Sequence, residues 1–153
     1  MEIKSDSPKT TEKIAQNLAK TLKKGDVIAL FGDLGAGKTV FVQGLARGLG
    51  IKRRILSPTF IFMRSYPFTH NHEPASPRGE RGEPLTFYHL DLYRGEDMND
   101  FKALGLDEIF KEDSIIVLEW AEKIKDKLPK KRIDVSLKIV DGRTRKIKID
   151  RRS

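Results

Sequence analysis

Residues 32–39, Gly32-Asp33-Leu34-Gly35-Ala36-Gly37-Lys38-Thr39, satisfy the spacing G-x-x-x-x-G-K-[ST] at every fixed position. These residue types suit the grip of a nucleoside triphosphate. Glycines let consecutive backbone N–H groups turn inward around phosphates, Lys38 carries a cation on a long stem, and Thr39 offers a hydroxyl to Mg²⁺. Hydrolysis also calls for carboxylates, one at the metal and one to orient water. Glu119 directly follows the apolar run Ile115-Ile116-Val117-Leu118, and Asp91 lies in His89-Leu90-Asp91-Leu92-Tyr93-Arg94 at the end of another apolar stretch. Both therefore stand at the carboxyl ends of expected strands, where open α/β sheets place their ligands. Residue type alone leaves open which acid takes the metal and which the water. Thr59, in Ser57-Pro58-Thr59-Phe60, is a hydroxyl placed either to sense a γ-phosphate or to close a Ser-Pro-Thr turn.

The elements that must position these groups follow from periodicity. Val27-Ile28-Ala29-Leu30-Phe31 predicts a buried strand before the glycine loop, and Lys38 to Leu49 a helix with Phe41, Leu45 and Leu49 on one face. Strand, loop and helix in that order put the phosphates on a helix N-terminus, whose unpaired N–H groups favour anions. Upstream, Asp6 or Ser7 caps a helix with Pro8 in its first turn and Ile14, Ala15, Leu18, Ala19 and Leu22 at helical spacing. Ile61-Phe62-Met63 is extended, continuing to about Tyr66, and residues 67–84, with four prolines and no period, are expected to form a flexible loop. His70 and His72 within it are read as solvated side chains, since no third metal ligand lies near. Leu85–Leu92 predicts a strand, Asp97–Leu104 a short helix, Ile115–Leu118 a buried strand and Ala121–Leu128 a helix stopped by Pro129. Residues 130–153 alternate polar and apolar around Asp141-Gly142, the pattern of an antiparallel hairpin.

Composition narrows what can surround the loop. A chain of 153 residues, 38% hydrophobic, supports one core, so residues 1–153 are expected to form a single α/β domain. The expected core is a central, mostly parallel sheet flanked by helices. No apolar run approaches a membrane span or a signal peptide, and the absence of cysteine removes disulfides and thiolate chemistry. A soluble, cytoplasmic protein is expected. The formal net charge of +8 is concentrated at the C-terminus, where residues 130–153 hold ten Lys and Arg against three Asp. Such a hairpin either meets a polyanion such as tRNA or stands as a solvated, edge-protecting strand.

Four separated strings, Gly-Asp-Leu-Gly-Ala-Gly-Lys-Thr at 32–39, Ser-Pro-Thr-Phe at 57–60, His-Leu-Asp-Leu-Tyr-Arg at 89–94 and Glu-Trp at 119–120, together resemble the TsaE (YjeE) family. Gly-Leu-Ala-Arg-Gly-Leu-Gly at 44–50 and Leu-Gly-Leu-Asp-Glu at 104–108 extend the likeness over most of the chain. The resemblance implies a P-loop ATPase that binds ATP and Mg²⁺ and supports the TsaB and TsaD proteins in threonylcarbamoyladenosine (t6A) modification of tRNA. It makes Gly35, Ala36, Gly37, Lys38, Thr39 and Val40 nucleotide contacts, Thr39 and Glu119 metal ligands, and Asp91 a catalytic carboxylate. Glu119 and Lys38 then also serve catalysis, and Thr59 becomes a switch residue. Trp120 is placed near the nucleotide or in the core behind it, and Thr11 and Arg143 beside the nucleotide.

The chain departs from that pattern in the length of the 67–84 segment, in Ala121 where a proline commonly follows Glu-Trp, and in its basic C-terminus. Two other functions share a phosphate loop. A small-molecule kinase needs an apolar acceptor lid, which the 67–84 segment does not offer. A guanine-nucleotide switch needs an Asn-Lys-x-Asp string, which is absent.

Overall fold

The computed structural model describes residues 1–57, 62–70, 82–95, 105–110 and 114–153. Its centre is a seven-stranded sheet in the order β1-β7-β6-β2-β5-β4-β3, formed by β1 (Glu2–Ser5), β2 (Val27–Phe31), β3 (Met63–His70), β4 (Glu83–Asp91), β5 (Ile115–Glu119), β6 (Arg132–Ile139) and β7 (Arg145–Arg152). Strands β4, β5, β2 and β6 run parallel, while β3 at one edge and β7 and β1 at the other are antiparallel additions. The expected α/β architecture with a C-terminal antiparallel pair is what forms.

Strand β2, and β5 up to its terminal Glu119, are apolar because both their faces are covered. Ile28, Leu30, Ile115 and Val117 face the layer containing helices α1 (Pro8–Ala19) and α2 (Lys38–Gly48). Val27, Ala29, Ile116 and Leu118 face a second layer that includes Leu92, Leu106, Ile109, Ile124 and Leu128. Strands β6 and β7 are covered on one face only, so Ile133, Val135, Leu137, Ile147 and Ile149 point inward and alternate with polar residues. Helix α1 starts as expected, with the Ser7 hydroxyl accepting from the Thr10 N–H at 3.1 Å and Pro8 in the first turn.

Helix α2 lies against α1 through two glycines. A Cβ on Gly44 would stand 2.4 Å from the Glu12 carbonyl oxygen and 2.7 Å from Ala15 Cβ. One on Gly48 would stand 2.5 Å from Ala19 Cβ. Small residues on both helices bring their backbones together, which fixes the helix that begins at the glycine-rich loop of residues 32–39.

The fold corrects the sequence reading in four places. Strand β1 was not expected. The 67–84 loop is shorter than its predicted bounds, because β3 runs through Pro67 to His70 and β4 begins at Glu83. Pro67 belongs to an edge strand, where a missing N–H breaks no ladder, so proline does not end the strand. Residues 71–81 lie outside the described residues, as does the predicted helix over 97–104. Ala121–Lys127 is a 3₁₀ helix broken at Ile124, not an α-helix. The hairpin turn is wider than Asp141-Gly142: Val140 N–H bonds the Thr144 carbonyl at 3.0 Å, and Asp141 Oδ1 accepts from the Arg143 and Thr144 N–H groups. Those bonds hold the Asp141 carboxyl below its ordinary range.

Candidate functional site

The loop between β2 and α2 takes its shape from glycine. Gly32, Gly35 and Gly37 have φ of 148°, 80° and 99°, in the positive region that L side chains rarely occupy. Gly32 also has no room for a side chain, since a Cβ would lie 2.5 Å from the Leu137 carbonyl oxygen. Gly37 is the N-cap of α2 and has no side chain to satisfy the first turn, so those N–H groups stay available to an anion.

Lys38 is 5% exposed. Its Nζ donates to the Gly32 carbonyl, donates to the Asp33 carbonyl at 2.9 Å, and sits 3.7 Å from the centroid of the Trp120 ring. Burial lowers its pKa from the ordinary lysine value, opposed by the charges of Glu122, Glu119, Asp91 and Asp33. The unfolded chain therefore binds more protons than the folded one between the lowered pKa and 10.5. The burial penalty is present in full below that window and relieved as pH rises through it. The nucleotide-free chain is thus expected to gain stability over that interval relative to Lys38→Met. Urea unfolding of both proteins across alkaline pH checks this, and parallel curves would contradict it.

Both expected carboxylates arrive at one place. Leu30, Glu119 and Asp91 are register partners across adjacent parallel strands β2, β5 and β4, at their carboxyl ends. Glu119 is 2% exposed; its Oε1 accepts from the Thr39 hydroxyl at 2.9 Å and its Oε2 lies 2.5 Å from His89 Nε2. Asp91 is 6% exposed and accepts from the Ser57 hydroxyl at 3.0 Å and the Tyr93 N–H at 3.0 Å. Trp120, at the turn after β5, has φ 61°, a strained conformation for a bulky residue, held with the ring 4.9 Å from that of Tyr93. It packs against the second apolar layer and faces Lys38.

On the other side of the loop, Thr11, Gly35, Ala36, Gly37, Val40 and Arg143 line one cavity of about 440 Å³, with Asp6, Ser7 and Arg145. The Thr11 hydroxyl is already bonded to Ser5 Oγ at 2.7 Å, so Thr11 shapes the wall more than it offers a free donor. A larger cavity of about 660 Å³ lies past the far end of α2 among Arg47, Lys52, Arg53 and Arg54. Among the described residues its lining has no acid, hydroxyl or histidine. Thr59 lies outside the described residues; Ser57, two residues before it, donates to Asp91.

Sequence reasoning missed His89, Ser57 and Arg145. His89 was findable, since it sits two residues before Asp91 and therefore on the same strand face. Arg145, whose guanidinium donates to the Gly35 carbonyl at 3.2 Å, reaches the loop only through the hairpin fold.

Metal fit follows from the donors present. Among the described residues no group of three or more His, Asp or Glu side chains forms a metal site. Mg²⁺ usually takes one or two protein oxygens and completes its shell with phosphate and water. Thr39 Oγ1 and Glu119 Oε1, hard oxygens already in contact at the loop's end, match that requirement.

The family model described as threonylcarbamoyl adenosine biosynthesis protein TsaE matches residues 5–147. A tRNA threonylcarbamoyladenosine biosynthesis protein TsaE from Bacillus subtilis is 40% identical over 132 residues, covering 86% of this chain and 73% of the relative. One of the same description from Treponema pallidum is 34% identical over 145 residues, covering 95% and 96%. The crystal structure of YdiB from Bacillus subtilis superposes with a TM-score of 0.76 at 33% identity, covering all of this chain and 86% of that one.

Proposed function

The chain belongs to the TsaE family, and we propose that it is a Mg²⁺-dependent ATPase serving threonylcarbamoyl modification of tRNA. The observation that carries this reading is the contact of Thr39 with Glu119 at the end of a complete phosphate loop. Nucleotide phosphates bind the inward N–H groups of residues 35–39 and take Lys38 from its carbonyl partners. The nucleoside occupies the 440 Å³ cavity between Thr11, Val40 and Arg143. Thr39 and Glu119 hold Mg²⁺, which neutralises charge developing on the phosphates. Asp91, beside Glu119 and fixed by Ser57 and Tyr93, orients the attacking water, and Thr59 couples the 58–61 segment to the γ-phosphate. Trp120 holds Lys38 in line and keeps water from its stem.

TsaB and TsaD are the proposed partners, with hydrolysis resetting their complex. The basic hairpin supports a further contact with tRNA phosphates. Lys138 and Lys4 are the register partners of Lys146 on either side, a like-charge row that weakens a sheet and suits a polyanion. Part of that charge is internally neutralised, by Glu2 on Lys146 at 2.8 Å and Asp150 on Lys148 at 3.3 Å. Among the described residues no helix is long and apolar enough to cross a membrane.

Titration with ATP and GTP, followed by the fluorescence of Trp120, tests the reading. ATP is expected to change the emission and GTP to compete poorly. Arg143→Ala is expected to weaken ATP about tenfold, the loss of one charged contact. An unchanged affinity in Arg143→Ala would remove the cavity from the nucleotide site.

A further inference from the structure

His89 is fully buried, and its imidazole spends one nitrogen on Glu119 while the other, Nδ1, has no hydrogen-bond partner among the described residues. Of the other buried positions of β4, Leu85, Phe87 and Leu90 are apolar and Asp91, at the strand's end, is polar, so at His89 packing alone would be better served by a hydrocarbon side chain. The carboxylate of Glu119 only accepts, so the hydrogen sits on His89 Nε2. Nδ1, facing no acceptor, is then a bare lone pair, because an unpartnered buried N–H is the costlier alternative.

We propose that His89 is a positioning residue: its Nε2–H ties down Oε2 of Glu119 and so keeps Oε1 turned toward Thr39. The inference rests on the assignment of Thr39 and Glu119 to Mg²⁺. Carboxylates that bind metal are commonly held by such partners, and their loss weakens metal binding about 10–100-fold. The pair spans β4 and β5, so it also ties the strand of Asp91 to the strand of Glu119.

The test compares wild type, His89→Gln and His89→Leu in titrations with the β,γ-imido analogue of ATP, with and without Mg²⁺, read by Trp120 fluorescence. Gln can place an amide N–H near the Nε2 position; Leu cannot. Without Mg²⁺ the three proteins are expected to bind alike. With Mg²⁺, His89→Leu is expected to lose at least tenfold of the gain in affinity and His89→Gln to keep most of it. If His89→Leu keeps the full gain, or if it binds more weakly by the same factor with and without Mg²⁺, the positioning role is overturned. If wild type shows no Mg²⁺ gain, the metal assignment itself fails. Nitrogen-15 NMR of histidine-labelled wild type does not depend on either variant folding: a proton on Nε2 supports the proposal, and a proton on Nδ1 with Nε2 bare overturns it.

Discussion

Glu119→Ala is expected to lower steady-state phosphate release about 10²–10³-fold, the usual cost of removing one preorganised group that meets developing charge. Nucleotide binding measured without Mg²⁺ is expected to remain within about threefold of wild type. The separation follows from where Glu119 sits. It is buried at the end of β5, touching Thr39 and His89 but none of the backbone N–H groups of residues 35–39. A variant that lost binding and hydrolysis together would show that Glu119 supports the loop instead of the reaction. Truncation also leaves the buried His89 Nε2 without its acceptor, and an unsatisfied buried donor costs roughly 1–3 kcal/mol. Glu119→Gln, which keeps shape and removes charge, is therefore the companion variant. It is expected to melt close to wild type and still hydrolyse poorly.

Gly44→Ala is expected to destabilise the chain by about 1–3 kcal/mol, the range for forcing extra atoms into a packed interface. For a domain of this size that lowers the melting temperature by roughly 2–4 °C per kcal/mol. The new methyl would meet the Glu12 carbonyl oxygen and Glu12 Cα, which are backbone and cannot swing aside. In an open helical position the same change would stabilise, because alanine is the better helix former by up to about 1 kcal/mol. The sign of the measured change thus decides whether close approach of α1 and α2 governs the site. Gly142→Ala serves as the control: its φ is not positive and its Cβ would meet nothing within 4 Å, so a change below about 0.5 kcal/mol is expected. A stabilised Gly44→Ala would contradict the packing account.

What the sequence reveals here is chemistry written into short, contiguous strings. The glycine-rich loop is legible because its glycines, Lys38 and Thr39 lie within eight residues. Glu119 and Asp91 are legible because a carboxylate after a buried apolar run must emerge at the strand end. Strand β1 is not legible, since Glu2-Ile3-Lys4-Ser5 offers one apolar residue and becomes a strand only by pairing with β7, 140 residues away in sequence. Pro67 misleads for a related reason: whether proline ends a strand depends on whether that strand is an edge, which is a property of the whole sheet. The contacts of His89 with Glu119, Ser57 with Asp91 and Arg145 with Gly35 join distant segments and surface only in the fold. From sequence Trp120 is read either near the nucleotide or in the core, and the fold shows its packing in the second apolar layer and its contact with Lys38. Its left-handed turn carries the ring from the second apolar layer to Lys38.

ATP hydrolysis at the Thr39–Glu119 end of the glycine-rich loop, in the service of t6A formation, is the proposed activity. Its most direct test is phosphate release by the purified chain with ATP and Mg²⁺, alone and with TsaB, TsaD and tRNA. Release is expected to require Mg²⁺, to rise when TsaB and TsaD are added, and to fall about 10²–10³-fold in Glu119→Ala under both conditions. Tight ATP binding with no phosphate release in any mixture, or release that Glu119→Ala leaves intact, would contradict it.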